Sequence, residues 1–320
     1  MKYLNISITA IINLCVAFMA FGQTYDLKAY ERSANNGDLE TCTAIGQWYM
    51  DGNKEMGISI DYDKAMYWLT KAADQGYGKA LNSLALLYLD GKGTEVNINK
   101  GIDLLEQAYY AGNTYSAQNL ALIYNQNHYV AKDWKKVFEW AEKAYNGGKY
   151  LLSARLLANC YMTGSGVQKD DKKAFDLVKT ILKCCDYGPS YAYEFYLMGT
   201  FCHHGCGTEV DIKKAKYYYN MAIHYDFKPA KGAYGELMYE QEDFEEAFAN
   251  LEEVANAGNA TGPQMNFLSN CYRFGKGTTK DLKKADTWLK KASSVGNNSA
   301  QTALNLLEGV VNTTNPAATI

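Results

Sequence analysis

Apolar residues in this chain recur at helical spacing, and a two-helix pattern returns about every 36–40 residues. The cleanest copy spans residues 80–112. Its apolar stripe predicts one helix over roughly 80–89 and a second over roughly 98–110, joined by a loop carrying Gly91 and Gly93. In the first helix the position of Leu84 is filled along the chain by Ile45, Leu84, Leu120, Leu157, Met198, Tyr234 and Leu268. The next residue is small each time (Gly46, Ala85, Ala121, Ala158, Gly199, Gly235, Ser269), which lets a neighbouring helix approach closely. Three residues further on stand Tyr49, Tyr88, Tyr124, Tyr161, Cys202, Met238 and Tyr272.

The second helix is more regular. Asp61, Asn97, Asp133, Asp170, Asp211, Asp243 and Asp281 each stand four residues before Ala65, Gly101, Val137, Ala174, Ala215, Ala247 and Ala285. Asp and Asn at that place predict N-caps, because their short side-chain oxygen satisfies free amides at a helix start. Three residues after the small position comes Trp68, Leu104, Trp140, Leu177, Tyr218, Asn250 or Trp288, expected in the buried slot. Gly76, Gly112, Gly148, Gly258 and Gly296 are expected to end the helix in the left-handed conformation.

Three repeats depart from the rule. The fourth has a longer second helix reaching Cys184-Cys185, the fifth has Asp226-Phe227 where others have glycine, and the sixth joins its helices through Glu240-Gln241-Glu242 without a glycine loop. The chain thus reads as an all-α solenoid of about seven hairpins near 38–76, 77–112, 113–148, 149–188, 189–227, 228–258 and 259–296. Half-repeats at 24–37 and 297–308 cap it, and 309–320 reads as a flexible tail.

These residues resemble the Sel-one-like repeat (SLR) family, related to tetratricopeptide repeats. The resemblance is carried by YLDGKG, YMTGSG, YRFGKG, DYDKAMYWLTKAADQG and DLKKADTWLKKASSVG, and covers about residues 34–308. It implies a right-handed superhelix that recruits proteins or peptides, often in bacterial envelope or host-interaction settings, with no shared catalytic residue. Some secreted relatives pair a Cys ending a second helix with another eight residues later. Here Cys42 faces Ala34 at that spacing and Cys185 faces Tyr193, so the ladder is missing.

Composition narrows the partner. Of 320 residues 32 are Lys or Arg and 35 Asp or Glu, a net charge of −3 that argues against a nucleic-acid or polybasic membrane partner. Lys2, the apolar run over 6–21 and Ala20-Phe21-Gly22 read as a secretory leader cleaved before Gln23. The expectation is a periplasmic or secreted protein with no membrane span after cleavage, working as a monomer.

Candidate chemistry is sparse. Cys160 and Cys271 take apolar slots and read as core. Cys202-His203-His204-Gly205-Cys206 places two thiols and two imidazoles within five residues, a set that could bind zinc or copper. Against that, Cys202 fills a buried slot and adjacent histidines seldom point the same way; a local Cys202–Cys206 disulfide or unpaired loop residues are the other readings. There is no H-E-x-x-H, G-x-S-x-G, S-x-x-K or P-loop, and no cofactor motif. The expected function is non-catalytic: an adaptor, in a narrower form an inhibitor or immunity-type binder. A hydrolase acting on cell-wall or β-lactam-like ligands is the alternative, because some SLR relatives are linked to such ligands.

The aromatic surplus, 27 Tyr, points to the docking surface. With Tyr218 in the buried slot, Tyr217 and Tyr219 are expected to point elsewhere, joined by Tyr191, Tyr193 and Tyr196 on the adjacent first helix. Tyr buries much area at small conformational cost, so these five are candidate partner contacts in a concave groove lined by first helices. Packing between repeats is the competing reading.

Overall fold

The computed structural model describes residues 26–183 and 188–314, with side chains through residue 307. The leader read at 1–22 and the Cys184-Cys185 pair lie outside the described residues. The chain divides into two compact units, Met1–Tyr150 and Leu151–Ile320. In the first, α1 (Leu27–Asn35) precedes hairpins α2 (Leu39–Asp51) with α3 (Tyr62–Ala73), α4 (Gly78–Asp90) with α5 (Ile98–Tyr110), and α6 (Tyr115–Gln126) with α7 (Trp134–Gly148). The second holds α8 (Leu151–Thr163) with α9 (Asp171–Lys183), α10 (Ala192–His204) with α11 (Ile212–His224), α12 (Lys228–Glu240) with α13 (Phe244–Asn256), and α14 (Gly262–Phe274) with α15 (Leu282–Ser294). It closes on α16 (Asn298–Thr314), which carries helix into the segment read as a tail. Each unit is an α-α solenoid, and the described residues contain no strand.

One backbone link recurs in every hairpin. The N–H of the capping residue donates to the carbonyl four residues after the apolar anchor of the first helix: Asp61 to Tyr49 at 2.8 Å, Asn97 to Tyr88 at 2.8 Å, Asp211 to Cys202 at 2.8 Å and Asp281 to Tyr272 at 2.8 Å, with Asp133–Tyr124, Asp170–Tyr161 and Asp243–Met238 alike. The Asp61, Asn97, Asp133, Asp170, Asp211 and Asp281 side chains also accept from the opening amides of the second helix. One residue therefore ends one helix and starts the next. Asp243 keeps the backbone link but makes no capping bond, because its connection is three residues long and holds it at φ −84, ψ 74. Asn97→Ala is thus expected to cost about 1 kcal/mol in a urea melt, and Asp243→Ala clearly less. Equal losses would deny the capping role.

The glycine loops close the stack. Gly93, Gly207 and Gly277 have φ of +70, +70 and +68, which a side chain resists. A Cβ on each would meet the carbonyl oxygen opening the preceding repeat's second helix: Tyr62 at 2.7 Å, Asp171 at 2.2 Å and Phe244 at 1.9 Å. The second glycine of each loop is where one repeat rests on the last.

Two expected features shift. The left-handed position after α7 is Lys149 (φ 53), not Gly148. Gly148 is needed for space instead, since its Cβ would lie 2.3 Å from the Tyr150 ring. The deepest second-helix position is also one residue later than the Trp68 slot: Leu69, Leu105, Ala141, Val178, Tyr219, Leu251 and Leu289 are at most 2% exposed. Residues i and i+4 lie over one another on a helix, so this position, four after the small residue, shares its inward face.

Candidate functional site

Within the second unit the first helices pack on one another, α10 on α12 and α12 on α14, whereas α11 and α13 reach the next repeat through its first helix. The first helices therefore make the inner side of this array. Their inner stripe carries Tyr193, Tyr196, Thr200 and His203 on α10 and Glu236 and Glu240 on α12.

The five candidate tyrosines separate. Tyr219 is fully buried, correcting the expectation that Tyr218 would take the core and its neighbours face outward. Gly199 makes the room: a Cβ there would lie 2.5 Å from the Tyr219 ring. Tyr219 thus reaches from the second helix through the core to the first-helix layer, where its hydroxyl lies 3.3 Å from His203 Nδ1 and 3.4 Å from Thr200 Oγ1. Tyr217 is 53% exposed on α11, away from this layer, and packs edge-on against Tyr218. Tyr191 lies under the Arg155 guanidinium at 5.8 Å. Only Tyr193 and Tyr196 form an accessible aromatic pair, stacked at 6.4 Å and both against Phe227. Tyr193 is 41% exposed.

The Cys-His loop is taken apart in the same way. Cys202 is buried against Ala215, Tyr219, Tyr234 and Leu237, and burial pushes its thiol up, away from the thiolate a metal needs. Cys206 is a half-buried free thiol, and the two do not form a disulfide. The His203 and His204 rings do lie together, stacked at 4.1 Å, but His203 Nε2 is engaged 2.8 Å from Glu240 Oε2. A carboxylate only accepts, so Nε2 donates to Glu240, while the Tyr219 hydroxyl beside Nδ1 gives its one proton to Thr200 Oγ1. Among the described residues no group of three or more His, Cys, Asp or Glu is placed to hold a metal ion.

Two polar ties join neighbouring first helices here. His203 to Glu240 is one. Glu194, 1% exposed, receives the Arg155 Nε and Nη2 groups, the latter at 3.0 Å, while Nη2 also donates to the Ser190 carbonyl at 2.7 Å. Beside them Glu236 on α12 faces the Gln264 amide of α14, which packs against Gly232 one turn earlier. The Gln264 amide is pre-oriented, since its Oε1 accepts from the Thr261 N–H at 3.0 Å and leaves Nε2 to donate. Sequence reading missed these ties. Their only trace is spacing: His203 and Glu240 stand 37 residues apart and Arg155 and Glu194 stand 39 apart, one repeat in each case.

A cleft of about 280 Å³ adjoins the aromatic pair, lined by Phe227, Lys228, Lys231, Glu253, Val254 and Asn259. The first unit has a matching one of about 330 Å³ between the turns at Tyr77 and Asn113. Its recurrence makes it a product of repeat stacking.

A family model for the Sel1 repeat matches residues 39–77, 78–113, 151–179, 187–224 and 265–297, more than half of the chain. The chain belongs to the Sel1 repeat family. Such proteins are typically protein-interaction scaffolds, and the SLR resemblance read from the loops is the same family. The two hairpins outside the matches, α6/α7 and α12/α13, are those without a glycine loop; Asn127 (φ 55) and Glu242 (φ 63) supply the left-handed turn there. A protective antigen of uropathogenic Escherichia coli with an SLR fold superposes with a TM-score of 0.63 and 22% identity, over 88% of this chain and 59% of that one. A Sel1 repeat protein from Oxalobacter formigenes gives 0.53 and 26%, over 88% and 79%. Human eukaryotic elongation factor 2 kinase is 26% identical over 160 residues, 40% of this chain and 22% of that protein. The chain spans less than a quarter of that curated relative.

Proposed function

We propose that this Sel1 repeat chain is a non-catalytic scaffold that binds one polypeptide along the first-helix face of its second unit. The observation that carries the reading is the accessible Tyr193–Tyr196–Phe227 cluster on that face, beside Thr200 and the His203–Glu240 tie. Aromatic rings held rigid by packing are what a docking surface needs, since they bury area with little entropy left to lose. Scaffold work also suits a site whose imidazole is held by Glu240 and whose Cys202 thiol is kept protonated.

The leader-like start supports export, placing the protein in the periplasm or outside the cell. There the scaffold acts on an envelope or extracellular protein, as an adaptor or as an inhibitor or immunity-type binder. No described helix is long and apolar enough to cross a membrane. Crosslinking capture from native envelope fractions tests this, with a Tyr193→Ser/Tyr196→Ser bait in parallel. The expected result is one dominant polypeptide, lost with the double variant and bound at one-to-one stoichiometry when purified. Its retention by both baits moves the site elsewhere, and intact-mass retention of residues 1–22 after expression in an exporting host sinks the export reading.

A further inference from the structure

Glu236 stands apart from the other carboxylates of the inner face. Glu194 has its arginine and Glu240 its imidazole, so each is answered within the fold. Glu236 is half-buried on α12, one turn before Glu240, and among the described residues no lysine or arginine pairs with it; the side chain facing it from α14 is the neutral Gln264 amide, packed against Gly232 of the same helix as Glu236. Burial pushes its carboxyl up from the ordinary carboxylate range, which marks a charge short of solvation. The groups around it do not supply a full positive charge. They are Tyr196 on α10, the Tyr219 hydroxyl from α11, Glu240 on its own helix, and His203, already hydrogen-bonded to Glu240. Tyr196 adds an aromatic wall continuous with Tyr193 and Phe227. A half-desolvated carboxylate beside phenol rings is the complement of a cationic side chain, which gains from the ion pair and from the ring face together.

Resting on the scaffold reading above, we infer that the bound segment is basic: it presents a lysine or arginine that pairs with Glu236 and lies against Tyr196. The recognised polypeptide then contributes the charge that the fold omits at this one position. Specificity follows from the same geometry, since a segment offering an acidic or purely apolar residue there leaves Glu236 unpaired and more deeply desolvated.

The test uses random dodecapeptides displayed on phage, selected against the purified full chain. Binding of individual selected peptides is then measured to the wild type, to Glu236→Gln, and to Glu139→Gln, which removes the same charge from an exposed position on α7. Glutamine keeps the size, and unchanged melting of each variant confirms the fold. The expected pool is enriched in lysine and arginine. Its peptides lose about thirty-fold or more in affinity on Glu236→Gln and are unmoved by Glu139→Gln. Selected peptides without basic enrichment, or with equal affinity for wild type and Glu236→Gln, overturn the cationic inference and leave peptide binding standing. A pool with no enrichment at all overturns both.

Discussion

Gly277→Ala is expected to be among the most damaging single substitutions in the second unit, costing about 3 kcal/mol or more. Two penalties coincide there. The residue has φ +68, where an alanine Cβ crowds its own carbonyl, and that Cβ would lie 1.9 Å from the Phe244 oxygen at the start of α13. Backbone cannot rotate out of the way as a side chain can, so the loop must lift off the preceding repeat. Gly258→Ala separates the two terms: its φ is +75, but nothing lies within 4 Å of its Cβ, and a loss of only about 1 kcal/mol is expected. Urea melts of both variants, with hydrogen exchange across α13, give the comparison. Protection should fall first over 244–256, because solenoid stability is a sum of repeat and neighbour terms. Similar losses for the two glycines would mean that conformation alone matters and that the loop contact contributes nothing.

The second large effect is expected at Arg155. Its removal leaves the Glu194 carboxylate, 1% exposed, with its charge and without its guanidinium, and the expected cost of Arg155→Ala is about 3–5 kcal/mol. The same substitution frees the Ser190 carbonyl and uncovers Tyr191, so α8 and α10 both loosen. Most of the penalty belongs to the orphaned charge rather than to the lost attraction. A double variant, Arg155→Ala with Glu194→Gln, should therefore recover a large part of the loss in the same melt. If the double variant is as unstable as the sum of the singles, the tie contributes packing and not charge compensation.

The rhythm of the chain and its local causes are legible without coordinates. Asp61, Asn97 and Asp281 announce helix starts because a short oxygen beside free amides has one good geometry, and all three cap as expected. Gly76, Gly112, Gly258 and Gly296 announce helix ends for an equally local reason and adopt positive φ. Reading becomes insecure where the cause lies in another repeat. Gly148 looks like a helix end but is small to admit Tyr150, whose hydroxyl reaches Thr114 on the previous repeat at 2.9 Å. Tyr219 looks like one of two outward tyrosines flanking a buried Tyr218, yet it enters the core because Gly199, twenty residues earlier, leaves a ring-sized space. The candidate site suffers most, since five tyrosines equal in sequence become one core residue, one cover for Arg155, one outer residue and one stacked pair.

The sequence by itself determined the repeat, the capping scheme, the family and the absence of known catalytic motifs, because each rests on residues within one hairpin and on their spacing. Tertiary structure alone decided which carboxylates find partners: Glu194 meets Arg155 and Glu240 meets His203, while Glu236 has no such pairing among the described residues. Those pairings form between helices of successive repeats, about one repeat period apart. Whether two such side chains touch depends on the packing of the first helices and on what each neighbouring side chain leaves open. No local propensity encodes that contact; it exists only once the repeats are stacked.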